Sequence, residues 1–194
     1  MKFSKIRLSK SGTLECTYKN EDGDIIQFVG ANIVHKDLRE ALQGLIPHLA
    51  LITEQREAYK TTLDKLREQR ITDNEDNVYK RLSVSGVAFS ADQKKVIITG
   101  SRILTTAGVV SVCTPLMDLE AEDEYKYLND LSLDVEAVTY EAQAYIEEKK
   151  WGVKQSELKF EDFAPFDAIK TGEVPEAPAE GKTKKGRKSK VAKL

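Results

Sequence analysis

The chain has 194 residues, and only two of them are cysteine, two histidine and one tryptophan. Each scarcity excludes something. Cys16 and Cys113 cannot form a Cys-x-x-Cys pair, so a cysteine-based zinc site or redox couple is ruled out. Each cysteine sits in a strand-like run and is expected as a buried, reduced thiol, which places the protein in a reducing cytoplasm. His35 and His48 have no third ligand at metal spacing. His35, just before Asp37, reads as a helix-capping neighbour, and His48, just after Pro47, reads as structural. No apolar run reaches the roughly 18 residues that a membrane helix needs, so no membrane contact is expected. The opening MKFSKIRLSKSG lacks the apolar centre and small-residue cleavage site of a signal peptide.

Catalytic motifs are absent too. There is no glycine-rich phosphate loop, no Gly-x-Ser-x-Gly and no spaced Ser/His/Asp set. Gly86 and Gly100 stand alone within strand patterns and read as bulges or close backbone approaches. The acidic run at 120–124 lacks the alternation and central glycine of a calcium loop and reads as the solvated start of a helix. The expectation is a non-enzymatic protein without cofactor or metal.

What the chain does contain is one pattern, twice. KIRLS, TLECTYK and IIQFVG alternate with period two and lead into a helix from about His35. RLSVSGVAFS, KKVIITGSRIL and VVSVCTP do the same and lead into a helix from about Glu122. The fold class read from this is α+β. It comprises two similar halves, each a three-stranded antiparallel meander followed by a long helix, in a pseudo-twofold arrangement with a disordered C-terminal tail. The boundaries are 1–70 for the first half, 71–79 for a polar connector and 80–152 for the second half. An aromatic segment lies at 153–170, carrying Phe160, Phe163 and Phe166, then the tail at 171–194.

Local detail sharpens this. Ser11-Gly12 and Asp22-Gly23 supply turns, because glycine takes positive φ without steric cost. Leu38, Leu42, Leu45, Leu49 and Ile52 form the core stripe of the first helix. Pro47 should kink or break it near Gly44–Pro47, after which the helix is expected to resume through the highly charged TEQREAYKTTLDKLREQ, projecting or lying on the surface. Pro115 should end the sixth strand or leave it at an edge. The second helix carries Leu128, Leu131, Val135, Val138, Ala142 and Tyr145 at heptad spacing. That seam suits a layer on the sheet or a helix partner, in the other half or in another subunit, and it is the candidate partner interface of a homo-oligomer. Gly152 reads as the helix stop.

Charge is divided. From Glu173 onward there are seven Lys/Arg against three Glu, so residues 1–172 carry −6 of a net −2. The tail residues Lys184, Lys185, Arg187 and Lys188 are spaced by small polar residues, which suits phosphate binding without sequence readout. Lys5, Arg7 and Lys19 fall on polar faces of the first meander, and Lys94, Lys95 and Arg102 on or near the second. Together they form a candidate basic strip for nucleic acid. Phe28, Phe89 and Tyr79 are its candidate stacking platforms, with Tyr18 turned inward.

The strand-strand-strand-helix order, repeated across roughly residues 2–150, resembles the duplicated sheet-plus-helix units of the PUR-repeat and Whirly families. That resemblance implies binding of single-stranded DNA or RNA on curved sheets, with helices mediating pairing, and it assigns no residue. The stretches LREALQGLIPHLALITEQ and AYIEEKKWGVKQSEL resemble uncharacterised proteins of tailed phages and prophages. This implies an accessory role in phage replication or recombination, in the host cytoplasm. The function expected is therefore single-stranded nucleic-acid binding. The rival is a protein-interaction module, an inhibitor, adaptor or virion component, acting through helix pairing.

Overall fold

The computed structural model describes residues 1–72, 77–121 and 125–152. Six strands form one antiparallel sheet: β1 (Lys2–Leu8), β2 (Thr13–Lys19), β3 (Ile25–Ile33), β4 (Leu82–Phe89), β5 (Lys95–Leu104) and β6 (Gly108–Cys113). Their order is β3-β2-β1-β4-β5-β6, so each meander runs outward from a central β1–β4 pair. A two-residue strand that the sequence pattern missed, β7 (Met117–Asp118), pairs with the start of β5.

Alternation fixes the two faces. Phe3, Ile6, Leu14, Cys16, Tyr18, Val87, Val96 and Ile98 point into the main core, and their sequence neighbours point to the opposite face. Period-two placement of this kind sets register, because a slip by one residue would expose the whole apolar set. Register shifts between Phe3 and Lys5 and between Val84 and Gly86 mark two bulges. At Gly86 an added Cβ would run into the carbonyl of Ile6, and at Gly100 into that of Ser83, so both sites demand glycine for close backbone approach. Gly12 and Gly23 sit at positive φ in the hairpin turns, as their positions in the sequence require.

The helices cover one face only. α1 (Lys36–Gly44) starts at His35, whose Nδ1 accepts the Asp37 N–H at 3.4 Å. The break expected near Pro47 falls at Leu45: α2 (Ile46–Ile52) begins there with proline in its first turn, where the missing N–H costs nothing. The expected continuous charged helix does not form. Thr53 donates its hydroxyl back to the Leu49 carbonyl, and Glu54 at φ 50 and Lys60 at φ 57 turn the chain twice. The chain continues as a 3-10 turn, Arg56–Ala58, and a short α3 (Leu63–Glu68) with Leu63 and Leu66 fully buried. Burial of Ala58, Leu66, Val78 and Leu82 under α2 makes a second, smaller core, and that explains why the chain folds back instead of projecting.

The connector is not a solvated link over its described part. Asn77 is buried, donating its amide to the carbonyls of Gln69 and Thr72 and accepting the Tyr79 N–H. It caps α4 (Val78–Arg81), a single turn.

α5 (Leu128–Glu147) begins six residues later than Glu122, the expected start. Its seam lies inside the protomer: Leu128, Leu131, Val135, Val138, Ala142 and Tyr145 are each at most 5 % exposed, packed on the sheet and against α1. The seam therefore finds its helix partner within the chain. Leu/Ala-type truncation of such residues typically costs about 2–5 kcal/mol. Gly152 does not stop this helix. The chain leaves α5 through Lys149 at φ 56, and Gly152 instead donates its N–H to the Ile33 carbonyl while Trp151 bridges Val34 beside β3. No helix among the described residues is long and apolar enough to cross a membrane.

Candidate nucleic-acid interface

The sheet face opposite the helices is open, and it is where the surviving part of the basic strip lies. Along the β1–β2 ladder Lys2 stands opposite Lys19, Lys5 opposite Thr17 and Arg7 opposite Glu15. Cross-strand partners share a face, so all four cations point the same way. Lys5, Arg7 and Lys19 are exposed and take part in no ion pair among the described residues. Two lysines directly opposed repel, and a bound anion relieves that repulsion. A shallow depression of about 150 Å³ adjoins them, lined by Lys5, Glu15, Thr17, Gln27 and Val29 among others. Farther across the same face come Ser83, Ser101 and Ser111 in register, with the Ser83 and Ser101 hydroxyls 2.7 Å apart.

Charge differs between the strands and α5. Strands β1–β6 contain six basic residues, Lys2, Lys5, Arg7, Lys19, Lys95 and Arg102, against the single acid Glu15. α5 contains Asp130, Asp134, Glu136, Glu141 and Glu147 and no lysine or arginine. An acidic body thus presents a cationic face on one side, which is the condition for a polyanion to approach it.

Three expected members leave the strip. Lys94 bonds Glu120 at 2.7 Å, which raises its pKa, and Lys95 lies 3.4 Å from Asp118. Arg102 is on the helix side of β5, bonded to the Glu57 carboxylate at 2.7 Å and to Gln55. Each loses its cationic reach because a neighbouring loop supplies an acid that sequence spacing could not reveal. Lys184, Lys185, Arg187 and Lys188 lie outside the described residues, as do Phe160, Phe163 and Phe166.

The stacking platforms are a clear correction. Phe28 stands edge-on to Tyr145, with centroids 6.1 Å apart at 80°, on the helix side. Phe89 packs against the main core, and Tyr79 packs in the second core, where burial raises its hydroxyl pKa. Outward positions of β1–β6 carry no aromatic ring. The outward strand positions offer charge and hydroxyls instead of rings. Tyr18 faces inward as expected.

The cysteines differ from each other. Cys16 is buried, and burial pushes its thiol pKa up to about 12, whereas Cys113 is exposed at the end of β6. The expectation of two buried thiols holds for Cys16 alone, because β6 is an outer strand with only Val112 turned toward the core.

One polar cluster gave no sequence signal. His48 is wholly buried, its Nδ1 2.9 Å from the Tyr125 hydroxyl and its Nε2 3.2 Å from Asp134, which also takes Arg67 at 3.1 Å. Burial, helped by Tyr127 and Asp130, raises the Tyr125 pKa. Burial acts to lower the Arg67 pKa, but its bonds to Asp130 and Asp134 outweigh this and leave it raised. With the histidine ring enclosed, the cluster ties α2, α3 and α5 together. Among the described residues no group of three His, Cys, Asp or Glu is placed to hold a metal ion. Comparison with protein-family models, curated proteins and solved structures gave no match.

Proposed function

We propose that the protein is a non-enzymatic single-stranded nucleic-acid-binding protein that holds a phosphate backbone against the open face of its sheet, along β1 and β2. The observation that carries this reading is the charge segregation: a cationic strand layer backed by a helix whose five charged residues are all acids. Lys5, Arg7 and Lys19 are the residues that contact phosphate, with Lys2 beside them and Thr17 and Gln27 as neutral partners. Without outward aromatic rings the binding is electrostatic, insensitive to sequence and steeply dependent on salt. The tail residues Lys184, Lys185, Arg187 and Lys188 add further phosphate contacts. The strand order about the β1–β4 pair supports a pseudo-twofold relation between the halves, of which the first carries Lys5, Arg7 and Lys19 on the open face. We extend the proposal to an accessory role in phage replication or recombination in the host cytoplasm, which rests on the resemblance of the stretches 38–55 and 144–158 alone.

Anisotropy of a labelled oligothymidylate at low salt tests it. Replacing Lys5, Arg7 and Lys19 together by glutamine is expected to weaken binding about tenfold or more, with the melting temperature unchanged. Equal binding by the two proteins overturns the reading.

A second reading, protein interaction with another copy of the chain, rests on a different observation. β6, GVVSVC, is uncharged, rich in β-branched residues and exposed along most of its length at the sheet edge. Such an edge is a template for another strand, and antiparallel self-pairing opposes no like charges. This replaces the helix seam as the route to a homo-oligomer.

A further inference from the structure

A cavity lined by arginines lies away from the open face. It measures about 100 Å³ and is lined by Arg56, Glu57, Arg81 and Arg102, closed by Ile103, Leu104 and Thr105 at the end of β5. Three arginines and one glutamate line it, and of these the Arg102 guanidinium meets the Glu57 carboxylate. Glu57 and Arg102 form the floor, their side chains only 8 % and 17 % exposed and joined at 2.7 Å through Glu57 Oε1. Glu57 Oε2 is buried and has no hydrogen-bond partner among the described residues. A buried carboxylate oxygen left unpaired is costly, so an orphan of this kind calls for a donor that arrives with a ligand. Arg56 and Arg81, from the 3-10 turn and from the last residue of α4, make no ion pair among the described residues. Their charge is available to that ligand.

The residues thus ask for two things at once: an anion with several acceptor oxygens, matched to planar guanidinium forks, and a hydrogen-bond donor beside it for Glu57. A phosphate monoester supplies both, its oxygens to the arginines and the P–OH of its monoanion, or an adjacent sugar hydroxyl, to Glu57. Sulfate has a similar size but carries no proton at neutral pH. We propose that Arg56, Arg81 and Arg102 bind a phosphate monoester, free or at the terminus of a nucleic-acid strand, with Glu57 accepting a hydrogen bond from it. Arg102 alternates with the outward Ser101 and Ile103 and is on the helix side, so the site is separate from the β1–β2 face and stands or falls independently of it.

The test is calorimetric titration of the full-length protein with inorganic phosphate, a nucleoside 5′-monophosphate and sulfate. Phosphate is expected to bind about tenfold or more tightly than sulfate, as a buried unpaired acceptor discriminates. Arg56→Gln and Arg81→Gln, both at partly open positions, are each expected to weaken phosphate binding about tenfold. Glu57→Gln is expected to narrow the gap between phosphate and sulfate. Oligonucleotides with and without a 5′-phosphate separate the two sources: a preference for the phosphorylated end assigns the site to strand termini, and a preference only for the mononucleotide assigns it to free nucleotides. No heat with phosphate or mononucleotide, equal affinity for sulfate, or unaltered binding by both folded arginine variants would overturn the proposal.

Discussion

His48 on α2 is completely enclosed, and its Nε2 lies 3.2 Å from Oδ2 of Asp134, one turn beyond Asp130 on α5. Asp134 therefore serves two cationic or donor groups from two other helices, since Arg67 of α3 reaches the same oxygen. Removing it leaves a buried imidazole without its acceptor. Asp134→Ala is expected to lower stability by about 1–3 kcal/mol, and Asp134→Asn, which keeps one acceptor oxygen, by less. Urea midpoints measure this. Two variants within about 0.5 kcal/mol of the parent would mean the bond is idle.

Self-association separates the two routes to an oligomer. Leu131 is fully buried within the protomer, so Leu131→Ala should destabilise the fold by about 2–5 kcal/mol without altering any association constant. Val109 and Ser111 face outward on β6, and lysine at both should abolish any dimer without loss of stability. Sedimentation equilibrium reads both. A dimer that survives the β6 pair of lysines would contradict edge pairing.

Thiol chemistry distinguishes the two cysteines. The Cys113 side chain is open to solvent, whereas Cys16 is packed under the sheet with its ionisation suppressed to about 12. Reaction with an aromatic disulfide reagent at pH 8 should titrate one thiol in the native protein and two in guanidinium. Two fast thiols in the native state would show that the β1–β2 layer is open.

Acid stability should depend on Asp37. Its carboxyl hydrogen-bonds Lys150 at 2.7 Å, which holds its pKa below the ordinary 3.8, with His35 and Lys36 assisting and partial desolvation opposing. A carboxyl with a depressed folded pKa contributes stability above the unfolded value and loses it as pH falls through the folded one. The contribution of this link between the start of α1 and the residues after α5 is thus full above pH 3.8 and vanishes below the folded value. Asp37→Asn should flatten the acid side of the stability curve in that window and leave its slope near neutral pH unchanged. Thermal melts from pH 2 to 7 check this, and an unaltered acid limb would count against it.

Much of the strand plan was legible because alternation is local. Ile6, Leu14, Cys16 and Tyr18 announce an inward face with no knowledge of what covers it. The same locality located the break near Pro47 and the capping role of His35. It failed where long-range contacts decide. Nothing near residue 57 says that Glu57 will meet Arg102, and nothing near 118–120 says that Asp118 and Glu120 will neutralise Lys95 and Lys94. The charged stretch after Thr53 reads as a helix by composition, but Glu54 and Lys60 at positive φ fold it back because Ala58 and Leu66 can then be buried. The heptad seam gave the right face of α5 but left its partner open between the sheet, a helix of the other half and another subunit, since period alone does not tell an internal helix from one in another subunit. The polar cluster at His48 was invisible because its members are 86 residues apart in the longest of its bonds.

The salt dependence of single-strand binding tests the central claim most directly. For single strands, log K falls against log salt with a slope of about −0.7 per phosphate neutralised. Replacing Lys5, Arg7 and Lys19 by glutamine in the full-length protein should therefore reduce the slope by about 2, with no change in thermal stability. A slope identical to the parent's would show that the open face of the sheet touches no phosphate, and the function proposed for it would be wrong.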